Sequence, residues 1–372
     1  MPGEEVDQAE GCVVAVAGLE DDGGLGGGLG AAGEQGPLVP TASSSSPGSI
    51  SSLLASPPAT NRDAGLPTAV GEFLIVKKAD ITPALVSRLM AAQFPRWADL
   101  PVRPVDVDGW DNATFRLGQH MSVRLPSSLA YAEQVDKEHR WLPVLSRQLP
   151  LPIPEPLARG EPGCGFPRPW SVYRWIDGQT AEVAEIADLG EFAASLADFL
   201  AALYAIDPAG GPLPGTHNFF RGGSPAYYDA ETRAALAALH GIIDTELAAE
   251  VWEAALEARW DGPPVWFHGD AQPGNLLLDS AGRLRAVIDF GTSGIGDPAC
   301  DTTIAWTFLS GPSQRVFRER LPVDEATWTR GRGWAIWKAM IVLVGQLDTD
   351  PDDADFTRNV ISKILADHRD AR

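Results

Sequence analysis

Three oxygen-bearing side chains in the segment HGDAQPGNLLLDSAGRLRAVIDFG stand at spacings that suit one reaction. Asp270 and Asn275 share a polar loop between the apolar stretches VWF and LLL, and Asp289 closes the run LRAVIDF just before Gly291. Aspartate, glycine, proline and asparagine also make ordinary turns, and for the loop alone that reading stands beside the chemical one. The following strand favours chemistry, because it delivers Asp289 to a strand end beside the same loop, with Gly291 expected to free the backbone beyond it. Phosphoryl transfer asks little covalent help of a protein. It needs metal ions to neutralise triphosphate oxygens and a carboxylate to orient the attacking hydroxyl and take its proton. Magnesium draws one or two protein oxygens and keeps waters and phosphates for the rest. Asp289 and Asn275 fit that demand as metal ligands. Asp270 is left as the base, at the Asp-to-Asn spacing of the kinase catalytic loop H-R-D-x-x-x-x-N.

Elements on both sides must hold these residues, and patterning supplies them. Residues 1–66 are dominated by Gly, Ala, Ser and Pro, which cannot bury enough apolar surface to offset chain entropy, and a disordered low-complexity tail is expected there. In ITPALVSRLMAAQF, apolar Ile81, Leu85, Leu89 and Met90 follow helical spacing. ATFRL and MSVRL, separated by GQH, predict an antiparallel hairpin in which Met121, Val123 and Leu125 share one face while Ser122 and Arg124 share the other. SSLAYAEQVDKEHRWL then predicts a helix with a Ser cap and Glu138 facing inward with Val135 and Leu142. Pro143 is expected to kink or end it. WSVYRWIDG reads as a strand leaving the first half, and EIADLGEFAASLADFLAALYAI as a long amphipathic helix opening a mainly helical second half. PVWFHGD, NLLLD and LRAVIDF form a strand-rich island within it, the last two joined by the turn SAGR.

His268, Gly269, Asp270, Asn275, Asp289, Phe290, Gly291 and the later GDPACD together resemble the aminoglycoside phosphotransferase family, and the similarity reaches back to GWDNATFRL, covering most of residues 75–345. That resemblance implies an α+β, bilobal, protein-kinase-like fold: a small β-sheet nucleotide-binding lobe over residues 71–171 and a larger helical lobe for catalysis and substrate over 172–372. It implies a kinase that moves the γ-phosphate of ATP or GTP, with magnesium, to a hydroxyl of a small molecule such as an aminoglycoside or other antibiotic. Asp270 would be the catalytic base, and Asn275 and Asp289 the magnesium ligands. Arg124 would stand where the family has a lysine that grips the donor phosphates, and Glu138 would pair with it. An arginine forks to two phosphate oxygens and is always charged, so the substitution is workable without being equivalent. No G-x-G-x-x-G covers the phosphates, and Asn112 with nearby backbone N–H groups is the candidate for that task. The hinge that meets the nucleotide base would fall near Ser171 to Trp175. Asp297 before Pro298 reads as a helix cap, Asp301 as a brace for the catalytic loop by resemblance, and His268 as a core histidine. Trp110, Trp252 and Trp334 are candidates either for the core or for a substrate cleft.

Bulk properties exclude several alternatives. With 50 acidic against 29 basic residues and a net charge of −21, unaided binding to nucleic acid or anionic lipid is disfavoured. The acidic stretches AEVWEAALEARWDG and DTDPDDAD are candidates for a cation-binding acceptor site or for plain solvated surface. Cys12, Cys164 and Cys300 stand in no metal-ligand or disulfide pattern, and the acidic N-terminus does not look like a secretory signal, so a cytoplasmic location is expected. AIWKAMIVLVGQL, interrupted by Lys338, is too short to cross a bilayer and reads as a buried helix. No A-P-E follows the DFG, which argues against a protein kinase. Six histidines without clustering argue against a two-metal phosphoesterase. The arginine at 124 and the missing glycine loop leave one rival, a catalytically inactive kinase-like binding module.

Overall fold

The computed structural model describes residues 76–371 apart from Val107, Trp110 and Asp348. The tail expected over residues 1–66 and the role considered for Trp110 therefore lie outside the described residues.

Helix α1 (Pro83–Gln93) starts where the Thr82 hydroxyl accepts the Leu85 N–H, and Pro83 occupies a first-turn position whose N–H would have no helical partner. Its buried Leu85, Val86, Leu89 and Met90 lie at helical spacing. Strands β1 (Val102–Pro104), β2 (Asn112–Leu117), β3 (Met121–Pro126), β4 (Pro156–Gly160) and β5 (Trp170–Arg174) make one antiparallel sheet in the order β1-β2-β3-β5-β4. β3 pairs with β5 so that Val123 faces Val172 and Arg124 faces Ser171. Strand alternation then divides the sheet. Val123, Leu125, Trp170 and Val172 join the core shared with α1, whereas Tyr173, on the other face, joins the larger core. Arg124 therefore points away from the small core and toward helix α2 (Ala132–Leu145), where Glu138 is buried.

Helix α2 departs from the sequence reading at both ends. A 3-10 turn, Leu129–Tyr131, precedes it, and the Ser128 side chain makes no cap bond. Pro143 lies inside the last turn, and the helix runs on to Leu145. A proline so near the end deletes one N–H from a turn that fully buried Leu142 and Leu145 hold by packing.

The second core is mainly helical. It gathers α3 (Leu189–Tyr204), α4 (Asp229–Ala238), α5 (Thr245–Glu257), the short α6 (Ile304–Thr307), α7 (Gly311–Arg320), α8 (Glu325–Gln346) and α9 (Pro351–Asp370). Between these helices the strand-rich island resolves into two small sheets rather than one. β6 (Gln179–Thr180), β8 (Leu276–Leu278) and β9 (Leu284–Val287) form the first; β7 (Val265–Phe267) pairs with β10 (Gly294–Gly296) in the second. The 22-residue α8 is buried along much of its length and carries Arg330, Arg332 and Lys338 inward. No described helix is long and apolar enough to cross a membrane. The molecule is thus an α+β protein with a sheet-based core and a helical one.

Candidate active site

The catalytic-loop candidate leaves β7 through a turn that only glycine allows. Gly269 has φ +86°, and a Cβ there would meet the Thr292 carbonyl oxygen at 2.8 Å. Asp301 fixes this turn by accepting the His268 N–H at 2.9 Å and the Gly269 N–H at 2.6 Å, with the Tyr204 hydroxyl at 3.4 Å. His268 is fully buried, and burial pushes its imidazole down to about 4. The neutral ring accepts the Asp270 N–H on Nδ1 at 3.2 Å and meets the Ile288 carbonyl through Nε2 at 3.0 Å. It is a core histidine that sets the loop, as its sequence context suggests.

Asp270 Oδ2 accepts from Gln272 Nε2 at 2.8 Å and Asn275 Nδ2 at 3.0 Å, and Asn275 Nδ2 also reaches the Asp270 carbonyl at 3.0 Å. Burial raises the Asp270 carboxyl to about 6; Asp289 adds to the rise, while Arg221, Lys338 and the Asn275 amide oppose it. Both bonds of Asn275 use its amide nitrogen, which turns Oδ1 the other way as an oxygen donor.

Asp289 sits in the left-handed region at φ +64°, a strained backbone for a residue with a side chain. The sequence reading gave that freedom to Gly291. Here Gly291 serves close approach instead: a Cβ on it would lie 2.7 Å from Gln134 Oε1 of α2. The same helix clamps the turn through Lys137, whose ammonium donates to the Gly291 carbonyl and, at 3.0 Å, to that of Ser293. Asp289 Oδ1 accepts from Arg124 Nη2 at 3.2 Å. Burial works to raise the Asp289 carboxyl, but the Arg124 guanidinium outweighs it and holds the group below its ordinary value.

Arg124 also stands 4.0 Å from Glu138 Oε1, an atom that is buried without a hydrogen-bond partner, while Glu138 Oε2 accepts from the Tyr173 hydroxyl. Five of the six sequence-selected residues thus form one connected chain, Glu138–Arg124–Asp289 on one side and Asp270–Asn275 on the other, with Asp289 acting electrostatically on Asp270. Asn112, the sixth, is the first residue of β2. Its neighbour Asp111 is the one whose carboxyl faces Asp289 and Asp270, and burial together with those two charges raises it to about 7.

Four further residues at this site escaped the sequence reading. Asp111 stood in the quoted GWDNATFRL but carried no distinguishing spacing. Arg221 lies in an irregular loop, where nothing in NFFRGGSP marks it. Lys137 is one more charge on an amphipathic helix. Lys338 did leave a signal, a lone cation inside an apolar run, and from α8 it lines the same cavity as Asp270. Trp334 lines the space beside Asp270, whereas Trp252 is core, its indole donating to Asp229 at 2.9 Å. Asp297 caps the turn Pro298–Thr303, a 3-10 helix, and accepts two buried hydrogen bonds from Arg330, at 2.6 and 3.0 Å.

The donor set suits a hard cation. An amide oxygen at Asn275 and a carboxylate at Asp289 are the one or two protein oxygens that magnesium takes beside phosphates. No cluster of three or more His, Cys, Asp or Glu that could bind a metal ion occurs among the described residues.

A family model described as the phosphotransferase enzyme family (APH) matches residues 102–334. An uncharacterized protein of Bacillus subtilis (strain 168), YcbJ, is 23% identical over 242 residues, 60% of this chain and 72% of that one. Among solved structures, the GDP complex of wild-type aminoglycoside 2'-phosphotransferase-IIIa is similar with a TM-score of 0.57 at 19% identity, over 77% of this chain and 100% of that chain. Macrolide 2'-phosphotransferase type I is similar with a TM-score of 0.51 at 18% identity, over 77% and 97%.

Proposed function

This chain belongs to the phosphotransferase enzyme family, and we propose that it transfers the γ-phosphoryl group of ATP or GTP to a hydroxyl of a small molecule, with Asp270 as the base. The observation that carries the reading is the Asp270 carboxylate, held by Gln272 and Asn275 within the field of Asp289. Asp270 orients the acceptor hydroxyl and takes its proton as the new O–P bond forms and the bond from γ-phosphorus to the bridging oxygen breaks, releasing the nucleoside diphosphate. Asn275 and Asp289 would hold magnesium, which when bound neutralises the phosphate oxygens.

Arg124 pairs with Asp289 at 3.2 Å and would grip the donor phosphates from a second position. The unpartnered Glu138 Oε1 at 4.0 Å supports that second position, since a small shift of the guanidinium would satisfy it. Asn112, at the start of β2, would contribute with backbone N–H groups to covering the phosphates. One of the similar structures is a GDP complex and another holds GDP with kanamycin, which is why guanine and adenine nucleotides both belong in the test.

The test is magnesium-dependent release of nucleoside diphosphate, with and without hydroxyl acceptors, alongside nucleotide binding. Acceptor-stimulated release that disappears in Asp270→Ala is the expected result. Nucleotide binding without any release would instead favour the inactive binding module.

A further inference from the structure

Asp270 forms part of the wall of a cavity of about 30 Å³ on the side of α8, together with Arg221, Trp334, Trp337 and Lys338. One water-sized group needs about 10–15 Å³, so the space admits about two, the size of a carboxylate's pair of oxygens. Its charge is unusual for a buried place. Arg221 is 7% exposed; its Nε donates to the Gly269 carbonyl at 3.2 Å, and its guanidinium lies 5.5 Å from the ring centroids of both Trp334 and Trp337. Its Nη1 is buried with no hydrogen-bond partner. Lys338, also 7% exposed, faces Arg221 as a like charge and Asp270, Glu231 and Asp111 as opposite ones.

A buried guanidinium hydrogen without an acceptor is costly, and a second cation beside it adds repulsion. A bound anion removes both costs. The acidic stretches that suggested a polycationic acceptor point elsewhere: Glu250, Glu253 and Glu257 of α5 are exposed, and Asp350 caps α9. We propose that the acceptor is a hydroxy acid, its carboxylate seated between Arg221 and Lys338 and its hydroxyl beside Asp270. This rests on the phosphotransferase reading and narrows its substrate class.

The test uses glycerate and glycolate, their neutral amides glyceramide and glycolamide, and kanamycin as acceptors for diphosphate release from MgATP and MgGTP. Each acid should exceed its amide in kcat/KM by about tenfold or more, as one or two charge-assisted hydrogen bonds allow. Arg221→Gln and Lys338→Met should each abolish most of that preference, read as the acid-to-amide ratio of kcat/KM within the same variant so that any common loss of rate cancels. Arg221→Lys should recover part of it. Since Arg221 also holds the Gly269 carbonyl, Lys338→Met and the thermal shift produced by glycerate against glyceramide keep the question open to measurement if Arg221 variants misfold. Equal or greater response to the amides or to kanamycin, or no response to either acid, overturns the proposal. Loss of all Asp270-dependent hydrolysis, acceptor or none, would sink the phosphotransferase reading itself.

Discussion

Asp270 must be ionised to take a proton, and its surroundings delay that. Because burial raises its carboxyl to about 6, the fraction in the basic form falls tenfold for each pH unit below that value. The expected kcat/KM profile therefore climbs with unit slope up to about pH 6 and levels above it; a profile flat down to pH 4.5 would remove Asp270 from the role of base. Asp301 acts one step away. Its two oxygens separately accept the His268 and Gly269 N–H groups, and an asparagine keeps only one acceptor. Asp301→Asn should cost about 1–3 kcal/mol of stability and lower kcat more than it raises the nucleotide KM, measured by denaturant unfolding and steady-state kinetics. At this scale the sequence revealed oxygen donors at telling spacings, since loop residues a few positions apart must lie together. It could not reveal Arg221 or Asp111, which reach the site through tertiary packing alone.

Helix α2 is the element on which the metal-ligand candidate depends. Its Gln134 abuts Gly291, and its Lys137 binds the carbonyls of the same turn, so the strained Asp289 backbone is held from outside rather than by local freedom. Gly291→Ala should push aside the Gln134 amide, the movable end of its side chain, at a cost of up to about 1 kcal/mol, and weaken magnesium-dependent nucleotide binding. Adding Gln134→Ala should restore much of both. If the double variant is no better than Gly291→Ala, the contact is not the reason for glycine. Patterning had placed the hairpin faces correctly because strand alternation is rigid, and helical spacing had turned Glu138 inward, while the pairing of Arg124 with Glu138 came from the family resemblance. The reason for Gly291 was illegible, because a near approach by a distant helix leaves no periodic trace.

In the whole molecule, a sheet core and a helical core meet around the Arg124–Asp289 contact, and the helical core is anchored by Arg330 of α8. Arg330 binds Asp297 through two nitrogens and reaches the Ala258 and Arg259 carbonyls and the Thr327 hydroxyl. Removing one member of so buried a pair costs about 3–5 kcal/mol, so Arg330→Ala should lower the unfolding free energy by that amount; a loss under 1 kcal/mol would show the network to be incidental. Composition and charge disfavoured nucleic acid and lipid as partners but did not foretell the cations Arg221 and Lys338, which line the cavity beside Asp270 against the net acidity. The role of Asp270 as proton acceptor in phosphoryl transfer underlies the whole mechanism. Its most direct test is transfer from MgATP or MgGTP by Asp270→Asn beside nucleotide binding by the same protein. A fall in kcat of about 10²–10⁴ with nucleotide affinity retained is the expected result, and turnover at the wild-type rate would contradict it.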